Sequence, residues 1–498
     1  MGPSRTVKSD TLKAEIIIIG AGGAGLAAAV AAAEKGAKNI VILEAGNKAG
    51  GNAIYAPAVG YGMARPTDKK HPDPQAQRDE QFLNTMQFTH WRTNARVVSA
   101  LLDKGEDTKQ WLEKMGVEFP AGFAGMKPGG PKAGAKIVQA LLKKSEAMGG
   151  RVLYQTRAER LITNQAGKVV GVLATAKGKE LEITAKSVII ATGGIYSNKK
   201  LMKKYFPHYE SGVDMYIGGE PRNGDGLLMA TKVGAATEPM VAPEYSANRT
   251  PWSAVLFLIT KHPKSLLVNK KGRRFANESL SQEAYNAQFR QPGMTSYVLI
   301  DESIKKALYK EEISPIDKYV LAANITLDVI DEKIRETLRK EGLYATYETW
   351  PEVADKDLRW QASKGRAKIA NSWDEIAKWM GADPAVLKAT IDEYNAACKK
   401  GHDDVFAKDK KYLSPLRTPP YYAIRCSAVV TVVHGGIKVS ENMEVIDGQG
   451  DPIPGLYAVG CDAGLSYTDT YGGDAMGWVI NSGRVAGESA AKHASGKN

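Results

Sequence analysis

Residues 15–46 read EIIIIGAGGAGLAAAVAAAEKGAKNIVILEAG. Ile16–Ile19 is a short β-branched run, the mark of a parallel strand buried on both faces. Gly20–Gly25 reads as a turn, Leu26–Lys35 as an Ala-rich helix ended by Gly36, and Asn39–Leu43 as a second strand, which together make a βαβ unit. Ile16–Ala33 carries no charge and reaches the roughly 18 residues of a candidate membrane span. Its internal order argues otherwise: a Gly-rich turn follows four isoleucines, and Ala follows instead of Leu.

Moving outward, Pro and Gly interrupt residues 56–73, which read as a loop. Residues 76–118 and 136–148 have helical patterns. Strand patterns follow at 152–155, 160–162, 169–174 and 181–184, and Ser187–Ala191 is a second buried β-branched run. Near residue 238 the chain becomes rich in Lys, Glu, Tyr and Trp, with helical patterns near 302–310, 329–340, 372–380 and 384–399. Strand-like patterns return near 415, followed by Leu456–Val459, a Gly-rich loop and a helix from about Ala475 to His493. The expected organisation is a flexible N-terminus (1–13), a first domain in two parts (14–237 and 415–498), and a second domain inserted between them (238–414).

Composition bounds the chemistry. The 498 residues are 43% hydrophobic and 24% charged, in the range of globular proteins with a sizeable core. Three scattered cysteines, Cys398, Cys426 and Cys461, with no Cys-x-x-Cys, give no disulfide framework, zinc site, iron–sulfur cluster or attached haem. The net charge of +12 is spread in short doublets such as Lys199-Lys200 and Lys203-Lys204. These suit an acidic substrate or an acidic electron-transfer protein, or are simply solvated surface. Without interleaved aromatics they do not favour nucleic acid. The first thirteen residues lack the apolar core of a signal peptide, so a cytoplasmic location without membrane insertion is expected.

Gly20-Ala21-Gly22-Gly23-Ala24-Gly25 matches G-x-G-x-x-G, follows a strand and opens a helix, and Glu44 ends the next strand. That context makes it a dinucleotide fingerprint: glycines admit a pyrophosphate to the helix N-terminus, and the carboxylate accepts ribose hydroxyls. A second Gly pair at Gly50-Gly51, a further loop at Ala191-Thr192-Gly193-Gly194 and a third at Gly460-Cys461-Asp462 suit a long cofactor crossing the sheet.

Together with Gly224-Asp225-Gly226, Asn269–Glu278 and Gly435-Gly436, these elements resemble the fumarate reductase and succinate dehydrogenase flavoprotein family over nearly the whole chain. The resemblance implies an α/β fold: a Rossmann-like FAD-binding domain with an inserted α+β capping domain and the active site between them. It implies FAD contacts at Gly20, Gly22, Ala24, Gly25, Glu44, Ala45, Gly50, Gly51, Asn52, Ala53, Ala158, Ala191, Thr192, Gly193, Asn198, Asp225, Gly460, Asp462, Gly473, Ala475 and Met476. Relatives that attach FAD covalently do so at a His in the region of Gly50–Ala53, and here none is present, so the FAD is expected to be non-covalent.

The same resemblance leaves gaps at the reacting centre. Where soluble fumarate reductases place a proton-donating arginine, and 3-ketosteroid dehydrogenases a tyrosine, this chain has Gln282; where fumarate reductases grip a carboxylate with a second arginine, it has Thr470. Their paired histidines are Thr431 and Val432. A small diacid is therefore a poor fit, and an uncharged cyclic or aryl enone- or enoate-like substrate a better one. Thr470-Tyr471-Gly472 resembles the ketosteroid dehydrogenase run whose tyrosine polarises a carbonyl. Tyr471, His434, Glu283 and Tyr285 are the catalytic candidates, with Tyr55, Tyr245, Gln282 and Thr470 lining the substrate. The implied activity is hydride transfer between flavin N5 and a carbon of a C=C or CH–CH bond, with an external electron donor or acceptor. The alternative is an FAD-binding electron-transfer or scaffold subunit without its own substrate chemistry. No metal is expected.

Overall fold

The computed structural model describes residues 10–56, 73–119, 133–207, 221–241, 254–280, 284, 287–288, 290–311, 340, 349–427, 433–464 and 475–496. Backbone contacts divide the chain into two units. The first takes Met1–Pro207, Gly218–Ala242 and Val432–Asn498; the second takes His208–Ile217 and Pro243–Thr431.

A six-stranded sheet forms the first unit's core, in the order Glu444–Ile446, Pro452–Ala458, Ser187–Ile190, Ile16–Ile19, Ile40–Leu43, Arg151–Leu153. Every neighbouring pair from Pro452–Ala458 onward is parallel, and only the Glu444–Ile446 edge is antiparallel. Ile16–Ile19 lies at the centre, with Ile16 beside both Ile40 and Ser187. All four isoleucines are buried, as a parallel strand covered on both faces requires. Helix Gly23–Glu34 packs on helix Ala475–Ala494 so closely that a Cβ on Gly483 would lie 2.3 Å from the Ala24 carbonyl oxygen.

A second sheet of this unit orders Asp10–Lys13, Lys179–Thr184, Val169–Ala176 and Thr156–Thr163. Asp10–Lys13, expected to be flexible, is instead a strand in parallel register with Leu181–Thr184. A two-stranded ribbon joins His434–Ile437 to Thr237–Val241.

The second unit is α+β. Its antiparallel sheet orders Leu266–Asn269, Thr295–Asp301, Tyr421–Ser427 and Ala367–Ala370. Helices Ala254–Thr260, Glu302–Lys310, Trp350–Ser363, Trp373–Met380 and Pro384–Lys400 accompany it. Its core gathers Leu266, Val298, Leu299, Ile376, Leu387 and Tyr394. Tyr421–Ser427 was expected to open the returning first domain, but it pairs with Thr295–Asp301 over seven registered positions, so the second unit extends past it.

Candidate functional site

The turn after Ile16–Ile19 is assembled by its glycines, each for a different reason. Gly20 has φ +111°, and a Cβ there would lie 2.3 Å from the Ala191 carbonyl oxygen, so only glycine lets the first and second loops touch. A Cβ on Gly25 would fall 2.0 Å from the Gly20 carbonyl oxygen, which fixes the helix against its own turn. At Gly22 an added Cβ would meet no atom within 4 Å. Gly22 is therefore not demanded by packing, and its open side is where a ligand can approach the backbone.

Gly22 caps helix Gly23–Glu34 without a side-chain hydrogen bond, and no acidic residue lies in its first turn. The helix thus presents N–H groups and the positive end of its dipole to an anion. Glu44 stands at the end of the neighbouring strand. Its Oε2 accepts from Ala21 N at 2.9 Å and its Oε1 from Gly46 N at 2.7 Å. The carboxylate is held by the turn and keeps lone pairs for ribose hydroxyls. Gln155 N and Thr156 N donate to the Gly46 and Glu44 carbonyls, which brings strand Thr156–Thr163 and its buried Ala158 to the same end. A register shift between Ala158 and Arg160 loosens the ladder there.

The second and third loops meet at Asp462, which is 2% exposed. Its Oδ1 accepts from Thr192 Oγ1 at 2.9 Å and Gly194 N at 3.2 Å, and its Oδ2 from Gly193 N at 2.9 Å. Burial pushes this carboxyl above its usual range, against those hydrogen bonds. The Thr192 hydroxyl also accepts from Gly226 N at 3.0 Å, and Gly224 N donates to the Gly194 carbonyl. Asp462 is thus the clamp that shapes the Thr192–Gly194 loop. Asn198 caps helix Lys199–Tyr205 through Lys200 N and Leu201 N and donates to the Asn223 carbonyl, so it too fixes loops.

Gly50 N donates to the Ala21 carbonyl, placing the short 3₁₀ helix Gly51–Tyr55 beside the fingerprint turn. A Cβ on Gly23 would sit 3.0 Å from Ala53 Cβ and 3.9 Å from Met476 Cε, so this turn and the start of helix Ala475–Ala494 converge on the first helix. Gly20, Gly22, Ala24, Gly25, Glu44, Ala45, Gly50, Gly51, Asn52, Ala53, Ala158, Ala191, Thr192, Gly193, Asp225, Gly460, Asp462 and Met476 all belong to the first unit, where the contacts above join the fingerprint turn to Glu44, Gly50, Ala53, Ala191 and Met476, and the Thr192–Gly194 loop to Asp462. Sequence reasoning missed two supports. Arg157 pairs with Asp225 at 2.7 Å, and Gly134, whose Cβ would overlap the Ala53 carbonyl at 1.9 Å, seats helix Ala133–Ala147 on the 3₁₀ turn. Neither stands in a motif, so only tertiary contact reveals them.

Of the reaction candidates, His434 lies on the ribbon opposite Val241. Its neighbours Gly435 and Gly436 are required by backbone contact: added Cβ atoms would lie 2.1 Å from the Pro239 and 2.4 Å from the Asp462 carbonyl oxygens. Burial raises the Glu238 carboxyl on the same ribbon, opposed by Lys438. Tyr55 ends the 3₁₀ turn. Tyr245, Gln282, Glu283, Tyr285, Thr470, Tyr471 and Gly473 lie outside the described residues. No metal-binding cluster of His, Cys, Asp and Glu occurs among the described residues. None of the described helices is long and apolar enough to cross a membrane.

Residues 15–477 match the family described as FAD binding domain. The chain belongs to that family. The flavoprotein is 27% identical to the vinyl phenol reductase of Lactiplantibacillus plantarum, over 96% of each chain. It superimposes on the open conformation of a flavocytochrome c3 fumarate reductase with a TM-score of 0.67 at 25% identity, covering 99% of this chain and 79% of the other. It also shares the fold of the 3-ketosteroid-Δ4-(5α)-dehydrogenase of Rhodococcus jostii RHA1, with a TM-score of 0.69 at 21% identity over 98% and 99% of the two chains. The protein is an FAD-dependent oxidoreductase with an FAD-binding unit of the fumarate reductase type. The geometry fits the cofactor: open space at Gly22, an uncapped helix N-terminus and a carboxylate at Glu44 suit a pyrophosphate with its adjoining ribose.

Proposed function

We propose that this flavoprotein reduces or forms a C=C bond next to an electron-withdrawing or aryl group, in an uncharged cyclic or aryl substrate and not in fumarate. The observation that carries the reading is the assembled cradle of Gly22, Glu44, Thr192 and Asp462 in a chain similar along its whole length to a vinyl phenol reductase. Bound FAD supplies hydride chemistry at N5. The chain's own part is to hold it and to bind, orient and protonate the substrate. Gly22 and the helix N-terminus would hold the pyrophosphate and Glu44 the ribose, while Asp462 fixes the Thr192–Gly194 loop. The FAD is held without a covalent bond, since no His stands in the Gly50–Ala53 run.

Tyr471 donates a hydrogen bond to the substrate's carbonyl or phenolic oxygen. His434, Glu283 and Tyr285 are the groups near which proton transfer runs, and Tyr55, Tyr245, Gln282 and Thr470 shape the substrate pocket. With Thr470 where relatives grip a carboxylate with an arginine, a charge-assisted contact of roughly 1.5–3 kcal/mol is missing, and Gln282 at the proton donor's position costs roughly two or more orders of magnitude in rate on such a substrate, which together disfavour a diacid.

The test has two parts. Acid precipitation should release yellow flavin into the supernatant; flavin retained in the pellet would refute non-covalent binding. With a reduced viologen as donor, 4-vinylphenol and simple aryl enones should then be turned over at least about a hundredfold faster per kcat/KM than fumarate, a difference of about 2.7 kcal/mol. Fumarate as the better substrate overturns the reading. A photoreduced flavin that no substrate reoxidises points to the electron-transfer or scaffold alternative.

A further inference from the structure

Two arms of the first unit meet at one ion pair beside the cradle. The first arm starts from Glu44. Thr156 N donates to the Glu44 carbonyl at 2.8 Å and Gln155 N to the Gly46 carbonyl at 2.9 Å, so the loop that carries the ribose carboxylate is tied to the start of strand Thr156–Thr163. Gln155 takes φ +53° where the chain turns into that strand, a conformation uncommon for a residue other than glycine. Thr156 and Ala158 are buried and Arg157 between them is exposed, as the alternation of a strand requires.

The second arm starts from Asp462. The Thr192 hydroxyl donates to Asp462 and accepts from Gly226 N at 3.0 Å, and Gly224 N donates to the Gly194 carbonyl at 2.9 Å. Gly224, at φ +80°, caps helix Asp225–Lys232 and leaves Asp225 in its first turn, where the helix dipole favours a carboxylate. A Cβ on Gly226 would lie 2.7 Å from Thr192 Oγ1 and 3.0 Å from Asp462 Oδ1, so the helix start is seated directly on the clamp. Arg157 Nη2 donates to Asp225 Oδ1 at 2.7 Å, across 68 positions of sequence.

The two side chains are 45% and 27% exposed. An ion pair this open to water adds little to folding stability, and each arm is already fixed by bonds of its own. What the pair adds is a tie between the arms, one carrying Glu44 and the other the Thr192–Gly194 loop. We propose that Arg157 and Asp225 form a clasp for the adenosine half of FAD. The clasp has to open before that half can leave, so Arg157 is a positioning residue that slows the loss of cofactor. This rests on the reading that Glu44 holds the adenosine ribose.

The test is the rate at which FAD leaves the full-length holoprotein, followed by flavin fluorescence after dilution, alongside the Tm of the apoprotein. Arg157→Gln should raise the dissociation rate about 3- to 10-fold with the apoprotein Tm unchanged. Arg157→Lys, which keeps the charge without the guanidinium, should recover part of that loss. In an Asp225→Asn background Arg157→Gln should add little, because its partner is already gone. High salt should narrow the gap between wild type and Arg157→Gln. The same factor in both backgrounds overturns the inference, since Arg157 would then act without Asp225. A fall in apoprotein Tm large enough to account for the faster loss also overturns it, leaving the pair as a structural brace. Exchangeable FAD that leaves Arg157→Gln at the wild-type rate overturns the clasp alone; a wild type that binds no exchangeable FAD overturns the cofactor reading with it.

Discussion

A methyl group added at Gly22 projects into space that no protein atom fills, and Gly22 has φ −79° and ψ −176°, which any residue adopts. The same methyl at Gly25 collides with the Gly20 carbonyl. Two glycines three residues apart therefore separate binding from folding. Gly22→Ala should leave the apoprotein's thermal stability unchanged while weakening FAD binding by about 10- to 100-fold, or about 1.4–2.8 kcal/mol, because the methyl holds the pyrophosphate off the helix N-terminus. Gly25→Ala should destabilise the apoprotein itself, by about 1–3 kcal/mol. Flavin fluorescence titration and apoprotein melting measure the two effects. Equal losses of stability in both variants would show that Gly22 has a packing role after all.

At the level of elements, two helices of the first unit pack backbone against backbone. Gly483 and Gly487 lie one turn apart on helix Ala475–Ala494, and an added Cβ on either would come within 2.3 Å of the Ala24 or Ala28 carbonyl oxygen. Small residues let the two backbones touch, which places the start of the C-terminal helix beside the fingerprint turn. Gly483→Ala should lower unfolding free energy in urea by about 1–3 kcal/mol through overpacking, whereas Gly448→Ala, with nothing within 4 Å, should leave it within about 0.5 kcal/mol. A neutral Gly483→Ala would mean that the helices can part without cost.

These elements also mark what the chain discloses. Ile16–Ile19 and Ser187–Ile190 were legible because a parallel strand buried on both faces needs an unbroken β-branched run, and Gly20–Gly25 because three glycines punctuate it. The sequence pattern from 76 to 118 looked continuous. In the structure it breaks into Pro74–Phe88 and Ala95–Glu113, with His90 and Trp91 at positive φ and Asn94 capping the second helix. Strands Asp10–Lys13 and Leu266–Asn269 went unread, since four-residue strands acquire their identity from the partner they pair with. In the same way, the Glu44 and Asp462 carboxylates were found by motif position, but the loops they clamp are visible only in three dimensions.

Across the whole molecule, the two units hold their buried carboxylates in opposite ways. In the second unit, Arg274, Glu278, Asp403 and Lys408 form a charge-balanced cluster in which all four side chains are at most 7% exposed. Burial alone would raise the Asp403 carboxyl, but donation from Phe406 N, Arg274 and Lys408 N holds it below its usual range. Glu302, bonded by Tyr422 and Lys305 against the same desolvation, is also lowered. In the first unit Asp462 is raised by burial. A lowered carboxylate contributes stability that is present above its unfolded value, near 4, and is lost as pH falls through the lower folded value. A raised carboxyl does the reverse: its contribution is full below the unfolded value and fades as pH rises through the folded one. Acidification from pH 7 to 3 should therefore weaken the second unit while relieving a penalty in the first. Calorimetry of the apoprotein should show the transitions of the two units moving apart at pH 3, with the second unit's falling. Asp403→Asn should lower that transition at pH 7, because Arg274 loses a buried counter-charge, and should make it less sensitive to acid. A second-unit transition in Asp403→Asn that keeps the full wild-type pH dependence would remove Asp403 as the source of the acid limb and leave Glu302 to account for it.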